Sequence, residues 1–260
     1  MTHPYLEGAA TPRVLAHRGL PAAAGEDSSV FDNSALALAA ADAAGAQYIE
    51  TDCRLTADGD VVLFHDETLE RLLGDPRPVA EVGTRELEEL FSHHGGLLTL
   101  PHALDAFPLL RFNIDVKAED AAAGIGRAVA PHGARVLLTS FHDRNRRAAL
   151  DAAAAAGAEL LPASSAGQVT IALLLVASTL RLGAWVRRIL RGIDAVQIPE
   201  RFGVLRVFTP ALVRATHRAG VEVHVWTVND PERMQILIAA GADGIVTDRA
   251  DVAIRTLQPN

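Results

Sequence analysis

Cysteine is almost absent from this chain of 260 residues, since Cys53 is its only one. A single cysteine cannot form an internal disulfide, and a zinc site built on several thiolates is excluded for the same reason. Side chains alternate along a strand, so Cys53 faces away from its neighbour Asp52. We therefore expect Cys53 to be a packing residue.

Basic residues are in the minority, with 24 lysines and arginines against 32 aspartates and glutamates and a net charge of −8. This balance argues against a nucleic-acid-binding protein, whose surface is usually basic. It is compatible with a small anionic ligand that a few local cations or a metal ion would hold. We therefore expect a small-molecule partner and no nucleic acid.

Long apolar runs are missing as well. The longest uncharged, apolar-rich stretch is SSAGQVTIALLLVASTL (164–180), and only part of it is strongly apolar, whereas a membrane span needs about 20 such residues. The first ten residues, MTHPYLEGAA, have neither the basic start nor the apolar core of a signal peptide. A cytoplasmic protein is the simplest expectation.

Short apolar runs alternate with alanine-rich stretches along most of the chain. The runs predict strands at 14–19, 48–55, 61–66, 111–117, 135–141, 159–164, 195–200, 222–228 and 244–248. Helices are predicted at 34–46, 143–158, 209–220 and 230–243. Such repeated alternation predicts a mainly parallel sheet.

Nine strands are one more than a (β/α)8 barrel needs, and a hairpin explains the excess. Only TADGD separates 48–55 from 61–66, and Asp58-Gly59 is a strong hairpin signal. Folding this hairpin would put His65 roughly opposite Asp52. We therefore predict an α/β fold, a single (β/α)8 TIM-type barrel over 1–260 with a rim β-hairpin and a small insertion at 67–106.

The predicted strand ends carry many polar side chains, and in such barrels catalytic groups lie at the C-terminal strand ends. These side chains are His17, Arg18, Glu50, Asp52, His65, Asp66, Asp115 and Lys117, with Ser140, Gln197 and Trp226 on later strands. Carboxylates at one rim repel unless a cation lies among them, and oxygen-rich clusters select hard ions such as Ca²⁺ or Mg²⁺. Arginine and lysine suit an anionic substrate, and two histidines can act as general base and general acid.

An ordered set of motifs resembles the glycerophosphodiester phosphodiesterase family. The motifs are AHRG (16–19), ETD (50–52), LTADGDVVLFHDETLER (55–71), FNIDVK (112–117), LLTSF (137–141), VHVWTVNDPERM (223–234) and GADGIVTDR (241–249). The resemblance implies a phospholipase C-like barrel that hydrolyses a glycerophosphodiester to glycerol phosphate and an alcohol. Each motif alone is weak, but the ordered set is highly specific.

The resemblance also implies roles for single residues. Glu50, Asp52 and Asp115 fall on the family's ligands for one divalent cation, which would be Ca²⁺ or Mg²⁺, with Mn²⁺ as a further candidate. His17 and His65 fall on its acid–base pair. The residues near the substrate phosphate would be Arg18 and Lys117, while Trp226 would either line the alcohol pocket or close the top of the barrel.

Two positions depart from the family pattern. FDNS (31–34) stands where the family usually has a PENT-like motif, so Asp32 is one methylene shorter than the usual glutamate. Asp115 stands where many members have glutamate. Both changes keep the charge, and we expect them to affect metal preference or activity.

The segment 164–208 is basic, with six arginines against Asp194 and Glu200 and a net charge of +4. Within it, 164–194 is interpreted either as a lid over the site or as an interfacial element that contacts anionic lipid. The lipid alternative would suit a lysophospholipid or sphingolipid phosphodiesterase. A third hypothesis, motivated by FDNS, is a barrel that binds a phosphodiester without catalysis.

Overall fold

Eight parallel strands form the centre of the computed structural model, which describes residues 2–23 and 29–258. The strands of this described part are β1 (Arg13–His17), β2 (Tyr48–Leu55), β3 (Val61–Leu63), β4 (Arg111–Val116), β5 (Val136–Thr139), β6 (Ala163–Ser164), β7 (Ala195–Pro199), β8 (Arg201–Phe202), β9 (Leu205–Arg206), β10 (Glu222–Trp226) and β11 (Gly244–Thr247). The parallel order is β6-β5-β4-β2-β1-β11-β10-β7. Between β6 and β7, Ser165 bridges to Ala195 and the Asp194 amide donates to the Ser164 carbonyl at 2.8 Å, so the barrel is nearly closed.

Helices cover the outside of this barrel. In the same described residues they are α1 (Ala35–Ala43), α2 (Glu70–Leu73), α3 (Thr84–Phe91), α4 (Leu100–Ala106), α5 (Ala122–Val129), α6 (Asp143–Ala155), α7 (Gln168–Thr179), α8 (Gly183–Ile189), α9 (Pro210–His217), α10 (Pro231–Ala239) and α11 (Ala250–Leu257). Ser34 caps α1, because its hydroxyl accepts a hydrogen bond from the Ala37 amide. Pro231 is the first residue of α10, where its missing N–H costs nothing. None of these helices is long and apolar enough to cross a membrane.

Alternation along the strands separates two apolar cores and positions the polar residues. On β1, Val14 and Ala16 pack among the helices, whereas Leu15 points into the barrel. Leu15 packs there with Tyr5 and Tyr48, which fill the N-terminal half of the interior. The inward positions that remain for polar side chains are those at the C-terminal half.

The rim hairpin is confirmed, with a shorter second arm than predicted. β2 and β3 are antiparallel and pair Cys53 with Leu63, and Gly59 has the positive φ of 91° that the turn requires. The Phe64 amide donates to the Asp52 carbonyl at 2.9 Å, so Phe64 lies opposite Asp52 and His65 lies one residue further on. The strand ends at Leu63 because the chain leaves the ladder there.

The sixth strand and the region after β7 also differ from the prediction. The strand predicted at 159–164 is reduced to Ala163–Ser164, since Pro162 has no N–H to donate and Leu160 and Leu161 are exposed. The chain after β7 forms a small antiparallel hairpin of β8 and β9 that the sequence pattern did not indicate.

The segment 67–106 contains α2, α3 and α4 and has an apolar cluster of its own. Leu69, Val79, Leu87 and Phe91 pack there against β3. The loop that follows β1 falls partly outside the described residues, at 24–28.

Candidate active site

Strand register brings the predicted site residues of three neighbouring strands together. His17 on β1 is paired with Glu50 on β2, and Asp52 on β2 is paired with Asp115 on β4. All four side chains point into the barrel near the C-terminal strand ends, because residues two apart share a face. Asp52 is only 1% exposed, so its charge requires compensation from the protein.

Lys117 provides that compensation. Its Nζ lies 2.8 Å from Oδ1 of Asp52 and 2.6 Å from Oδ2 of Asp115. Burial alone would lower the pKa of Lys117, but the two carboxylates outweigh burial and raise it. The same ammonium and the guanidinium of Arg18 outweigh burial at Asp52 and lower the pKa of that carboxyl.

Glu50 and Asp115 are compensated less completely. Burial, reinforced by the charge of Asp52, raises the pKa of Glu50 to about 8. Burial also raises the pKa of Asp115, although Lys117 opposes the shift. Oε2 of Glu50 and Oδ1 of Asp115 are buried without a hydrogen-bond partner among the residues that the structure describes.

Arg18 extends the charge network toward the rim hairpin. Its Nε lies 3.0 Å from Oδ2 of Asp52, and its Nη1 donates to Oδ2 of Asp32 at 3.0 Å. Asp32 also accepts from Arg71, which in turn pairs with Asp66. Asp32, which replaces the usual glutamate, thus joins the two arginines at one edge of the site.

The backbone at Arg18 and Gly19 forms a turn with two successive positive φ angles. Arg18 has a φ of 56°, and Gly19 follows with a φ of 86°. A Cβ at Gly19 would lie 2.7 Å from the carbonyl carbon and oxygen of Ala37, so no other residue fits there without a shift. This close approach fixes the turn that directs Arg18 toward Asp52.

Both histidines are oriented through Nδ1 by a neighbouring carboxylate. Nδ1 of His17 donates to Asp248 at 2.6 Å, and Nδ1 of His65 donates to Asp66 at 2.7 Å, since an ionised carboxylate only accepts. In each ring Nε2 is the nitrogen that this hydrogen bond does not use. Nε2 of His17 lies 3.8 Å from Oε2 of Glu50. Burial alone would lower the pKa of His17, but Asp248 and Glu50 raise it.

Two residues that contact this set were not predicted as site residues. Asp248 follows β11 and is itself held by Asn229, whose Nδ2 donates to Oδ2 at 2.7 Å. Asn33 is buried, and its Nδ2 donates to Asp52 at 3.2 Å. The sequence held signals for both, since Asp248 ends a predicted strand and Asn33 is part of FDNS.

A cavity of about 430 Å³ joins these groups to an apolar wall. Its polar end is lined by His17, Arg18, Glu50, Asp52, His65, Asn113, Asp115 and Lys117. Its other wall is lined by Phe141, Ile171, Ala172, Leu175, Pro199, Phe202, Leu205, Val207 and Trp226. Trp226 meets Phe141 edge to face, with 5.9 Å between ring centroids, so it belongs to the apolar wall.

Ser140, Gln197 and Cys53 have contacts of their own. Ser140 donates its hydroxyl to the Val116 carbonyl at 2.8 Å, while the Gln197 amide lies 3.4 Å from His224 in the interior. Cys53 is fully buried in the apolar core, as expected of a packing residue.

The three carboxylates have the oxygen donors that a cation site needs. Across residues 2–23 and 29–258, no group of three or more His, Cys, Asp or Glu side chains is arranged as they stand so that it could hold a metal ion. The donor chemistry nevertheless fits a hard cation, since Glu50 and Asp115 each present a buried oxygen without a partner. Both oxygens of Asp52 are engaged by Lys117, Arg18 or Asn33, so a metal would compete with Lys117 for them.

Comparisons with known proteins agree with the geometry. A model described as the glycerophosphoryl diester phosphodiesterase family matches residues 17–252. The chain is 39% identical over 254 residues to a Mycobacterium tuberculosis protein named "Probable glycerophosphodiester phosphodiesterase 2", covering 94% of this chain and 93% of that protein. It is 26% identical to the glycerophosphodiester phosphodiesterase of Caldanaerobacter subterraneus, covering 94% and 97% of the two chains.

Solved structures share the fold at lower identity. An Oleispira antarctica phosphodiesterase, solved in complex with the product sn-glycerol-3-phosphate, superposes with a TM-score of 0.72 at 21% identity, over 95% of this chain and 96% of that one. A glycerophosphodiester phosphodiesterase from Thermotoga maritima gives a TM-score of 0.67 at 24% identity, over 93% and 96%. The predicted TIM-type barrel is confirmed.

Proposed function

Because the chain belongs to the glycerophosphoryl diester phosphodiesterase family and is an enzyme of that type, we propose that it hydrolyses glycerophosphodiesters to sn-glycerol 3-phosphate and an alcohol by histidine acid–base catalysis that depends on one divalent cation. The observation that carries this proposal is the pair His17 and His65, each anchored through Nδ1 by a carboxylate and each lining the cavity that contains the carboxylates. The product bound to the Oleispira antarctica phosphodiesterase supports a glycerophosphodiester substrate.

Glu50, Asp52 and Asp115 would hold the cation, with Ca²⁺ and Mg²⁺ as first candidates and Mn²⁺ as a third. Oxygen ligands of this kind suit hard ions, and the two buried oxygens without partners support the assignment. The bound cation would supply charge stabilisation for the pentavalent transition state. Asp115 in place of glutamate shortens one ligand, so we expect it to affect which ion the site prefers.

Arg18 and Lys117 would bind the phosphate, since both line the cavity and carry permanent positive charge. Arginine can bind two phosphate oxygens at once, and at Arg18 the phosphate would compete with Asp52 at Nε and with Asp32 at Nη1. Lys117 would stabilise the charge that develops on the phosphoryl oxygens. Trp226 would contact the alcohol group from the apolar wall.

One histidine would remove a proton from the attacking oxygen, either the glycerol 2-hydroxyl or a water molecule. The other would protonate the leaving alcohol oxygen. If the 2-hydroxyl attacks, this step leaves a cyclic glycerol phosphate, and water would then open that ring to glycerol 3-phosphate with the two histidines in exchanged roles. The carboxylates at Nδ1 keep Nε2 of each ring directed at the cavity and stabilise the imidazolium form when it arises.

The first experiment is hydrolysis of glycerophosphocholine, followed as glycerol 3-phosphate release. Activity should disappear with EDTA and return when one of Ca²⁺, Mg²⁺ or Mn²⁺ is added. His17→Ala and His65→Ala should each lower kcat by about 100-fold or more. His102→Ala, on α4 away from the cavity lining, is the matched control and should leave kcat unchanged. Full activity in EDTA would contradict the proposed dependence on a divalent cation. Full activity of His17→Ala would contradict the proposed acid–base role of the two histidines.

A lysophospholipid or sphingolipid substrate is the second candidate, and the apolar wall of the cavity supports it. Ile171 and Leu175 from α7, with Phe202 and Leu205 from the small hairpin, offer an apolar surface to an acyl chain next to the phosphate-binding groups. Lysophosphatidylcholine should then be turned over with a higher kcat/KM than glycerophosphocholine; the reverse order would favour the small substrate. The binding-only hypothesis is wrong, because the family and the 39% identical relative are named as enzymes.

A further inference from the structure

An apolar stripe on α7 faces solvent beside the cavity. Val169, Leu173, Val176 and Leu180 follow one another at spacings of four, three and four residues, which places them on one side of the helix. Each of them is more than half exposed. Ile171 and Leu175 line the cavity from the other side of the same helix, and Ala172, which also lines the cavity, lies between them and the stripe.

Two further elements carry exposed apolar side chains. Trp185 on α8 is 61% exposed, and Val204 at the turn between β8 and β9 is 99% exposed. Phe202 and Leu205 of that hairpin are exposed and also line the cavity, so the hairpin lies at the cavity entrance. We call α7, α8 and the β8–β9 hairpin, residues 168–191 and 201–206, the mouth face. Exposed apolar side chains gathered in this way are typical of an interaction site.

Arginines accompany these apolar side chains. The exposed arginines of the mouth face are Arg181, Arg187, Arg188, Arg191, Arg201 and Arg206. None of the six forms an ion pair with a carboxylate in the part of the chain that the structure describes, whereas Arg146 and Arg233 elsewhere do. Of the two acidic residues between 168 and 206, Glu200 pairs with Arg233, although Arg206 and Arg201 lie near enough to help lower its pKa, and Asp194 accepts from the Ser164 amide.

We propose that the mouth face binds the surface of an anionic lipid membrane, with its apolar side chains among the acyl chains and its arginines at the lipid phosphates. Tryptophan, arginine and exposed aliphatic side chains on one face are the combination that interfacial helices use. The positive face of a chain with a net charge of −8 complements an anionic surface. A protein partner bound to this face would cover the cavity entrance. A lipid surface bound to the same face would instead hold its phosphodiester groups next to that entrance.

Vesicle co-sedimentation tests this proposal without relying on hydrolysis. The full chain is mixed at low salt with vesicles of phosphatidylglycerol and phosphatidylcholine, and in parallel with phosphatidylcholine alone. Binding should be strong for the anionic vesicles, weak for the neutral ones, and reduced as salt rises. Absence of binding to anionic vesicles at low salt overturns the proposal.

Two variants separate the charged and apolar contributions. Arg187→Glu with Arg188→Glu should weaken vesicle binding by at least about 25-fold, at roughly fivefold per arginine. Val204→Asp should weaken it by about tenfold or more, because its side chain can no longer enter the acyl region. Its matched control is Leu109→Asp, since Leu109 is 92% exposed and lies in the loop before β4, at the opposite end of the barrel.

The variants lie outside the cavity lining, so they should fold and hydrolyse soluble glycerophosphocholine like the native chain. Binding that is equal for Val204→Asp, Leu109→Asp and the native chain would place the lipid contact elsewhere and overturn the proposal. Dimerisation in analytical ultracentrifugation that Val204→Asp abolishes, with no vesicle binding, would instead identify an interface between copies. A chain that binds vesicles but hydrolyses nothing would contradict the proposed function and leave this inference standing.

Discussion

Asp248→Asn tests how the barrel rim prepares His17 for proton transfer. The Asp248 carboxylate accepts a hydrogen bond from Nδ1 of His17 at 2.6 Å, and Asn229 donates to its second oxygen at 2.7 Å. Asp248 does not line the cavity, so we class it as a positioning residue that acts through His17. The amide keeps the size of the side chain and removes its charge.

The size of the effect follows from that one contact. A hydrogen bond to a charged group contributes about 1.5–3 kcal/mol, and each 1.36 kcal/mol is a factor of ten in rate. If His17 is charged in the transition state, kcat should fall by about 10- to 150-fold. KM should change little, since Asp248 lies outside the cavity lining.

The assay is steady-state hydrolysis of glycerophosphocholine with kcat and KM resolved separately. Nitrogen NMR of His17 adds a second readout, because the fraction of ring protonated at Nδ1 should fall in the variant. Asp251→Asn is the matched control, since Asp251 pairs with Arg255 on the outside of α11 and should leave kcat unchanged. An unchanged kcat in Asp248→Asn would refute the reasoning, and a loss confined to KM would mean that Asp248 acts on substrate binding.

Other expectations concern stability and charge compensation. Glu222→Gln leaves Arg13 buried without its carboxylate partner at 2.6 Å, so urea unfolding should show a loss of about 3–5 kcal/mol. Hydrogen bonds outweigh burial and lower the pKa of Glu222 to about 2, so the stability from this group is present above about pH 4.5. It is lost as pH falls toward 2, and Glu222→Gln should lack that loss. Gly19→Ala should lower the free energy of unfolding by about 1–3 kcal/mol, because its Cβ meets the Ala37 carbonyl at a positive φ. Lys117→Met should lower kcat/KM by about 100-fold or more, since the charge on the phosphoryl oxygens loses its ammonium.

Each of these expectations has a contrary outcome. A loss under about 1 kcal/mol for Glu222→Gln would mean that water compensates Arg13. A native melting temperature for Gly19→Ala would show that the Ala37 backbone can yield. If Lys117→Met keeps the native kcat/KM, the only role of Lys117 is to compensate the charges of Asp52 and Asp115, and it does not stabilise the phosphoryl oxygens.

The strands near the site could be predicted well because local signals coincided there. Asp58-Gly59 specifies a tight turn, and the alternation in YIETDCRL places Glu50 and Asp52 on one face whatever the rest of the chain does. The strand predicted at 159–164 was mostly wrong, because apolar content alone does not distinguish a strand from an exposed loop. The β8–β9 hairpin was missed because strands of two residues carry no periodicity.

The orienting partners needed the fold. Asp248 lies 231 residues from His17 in the chain, and only the closing of the barrel between β1 and β11 makes them neighbours. The same holds for Lys117, whose place between Asp52 and Asp115 depends on the register of β2 with β4. Its interpretation as a phosphate ligand stays a prediction, while its contact with the two carboxylates is a feature of the fold.

By itself, the sequence determined the barrel, its rim hairpin and the set of polar groups at the strand ends. These follow from alternation and turn chemistry, which act within a few residues. The pairing of each histidine with its carboxylate and the compensation of Asp52 by Lys117 and Arg18 depend on the packed fold. So does the placing of α7 and the small hairpin, which both line the cavity and both expose apolar side chains. Those relations join groups far apart in the chain, and their energies depend on burial and on distances that only the packed barrel creates.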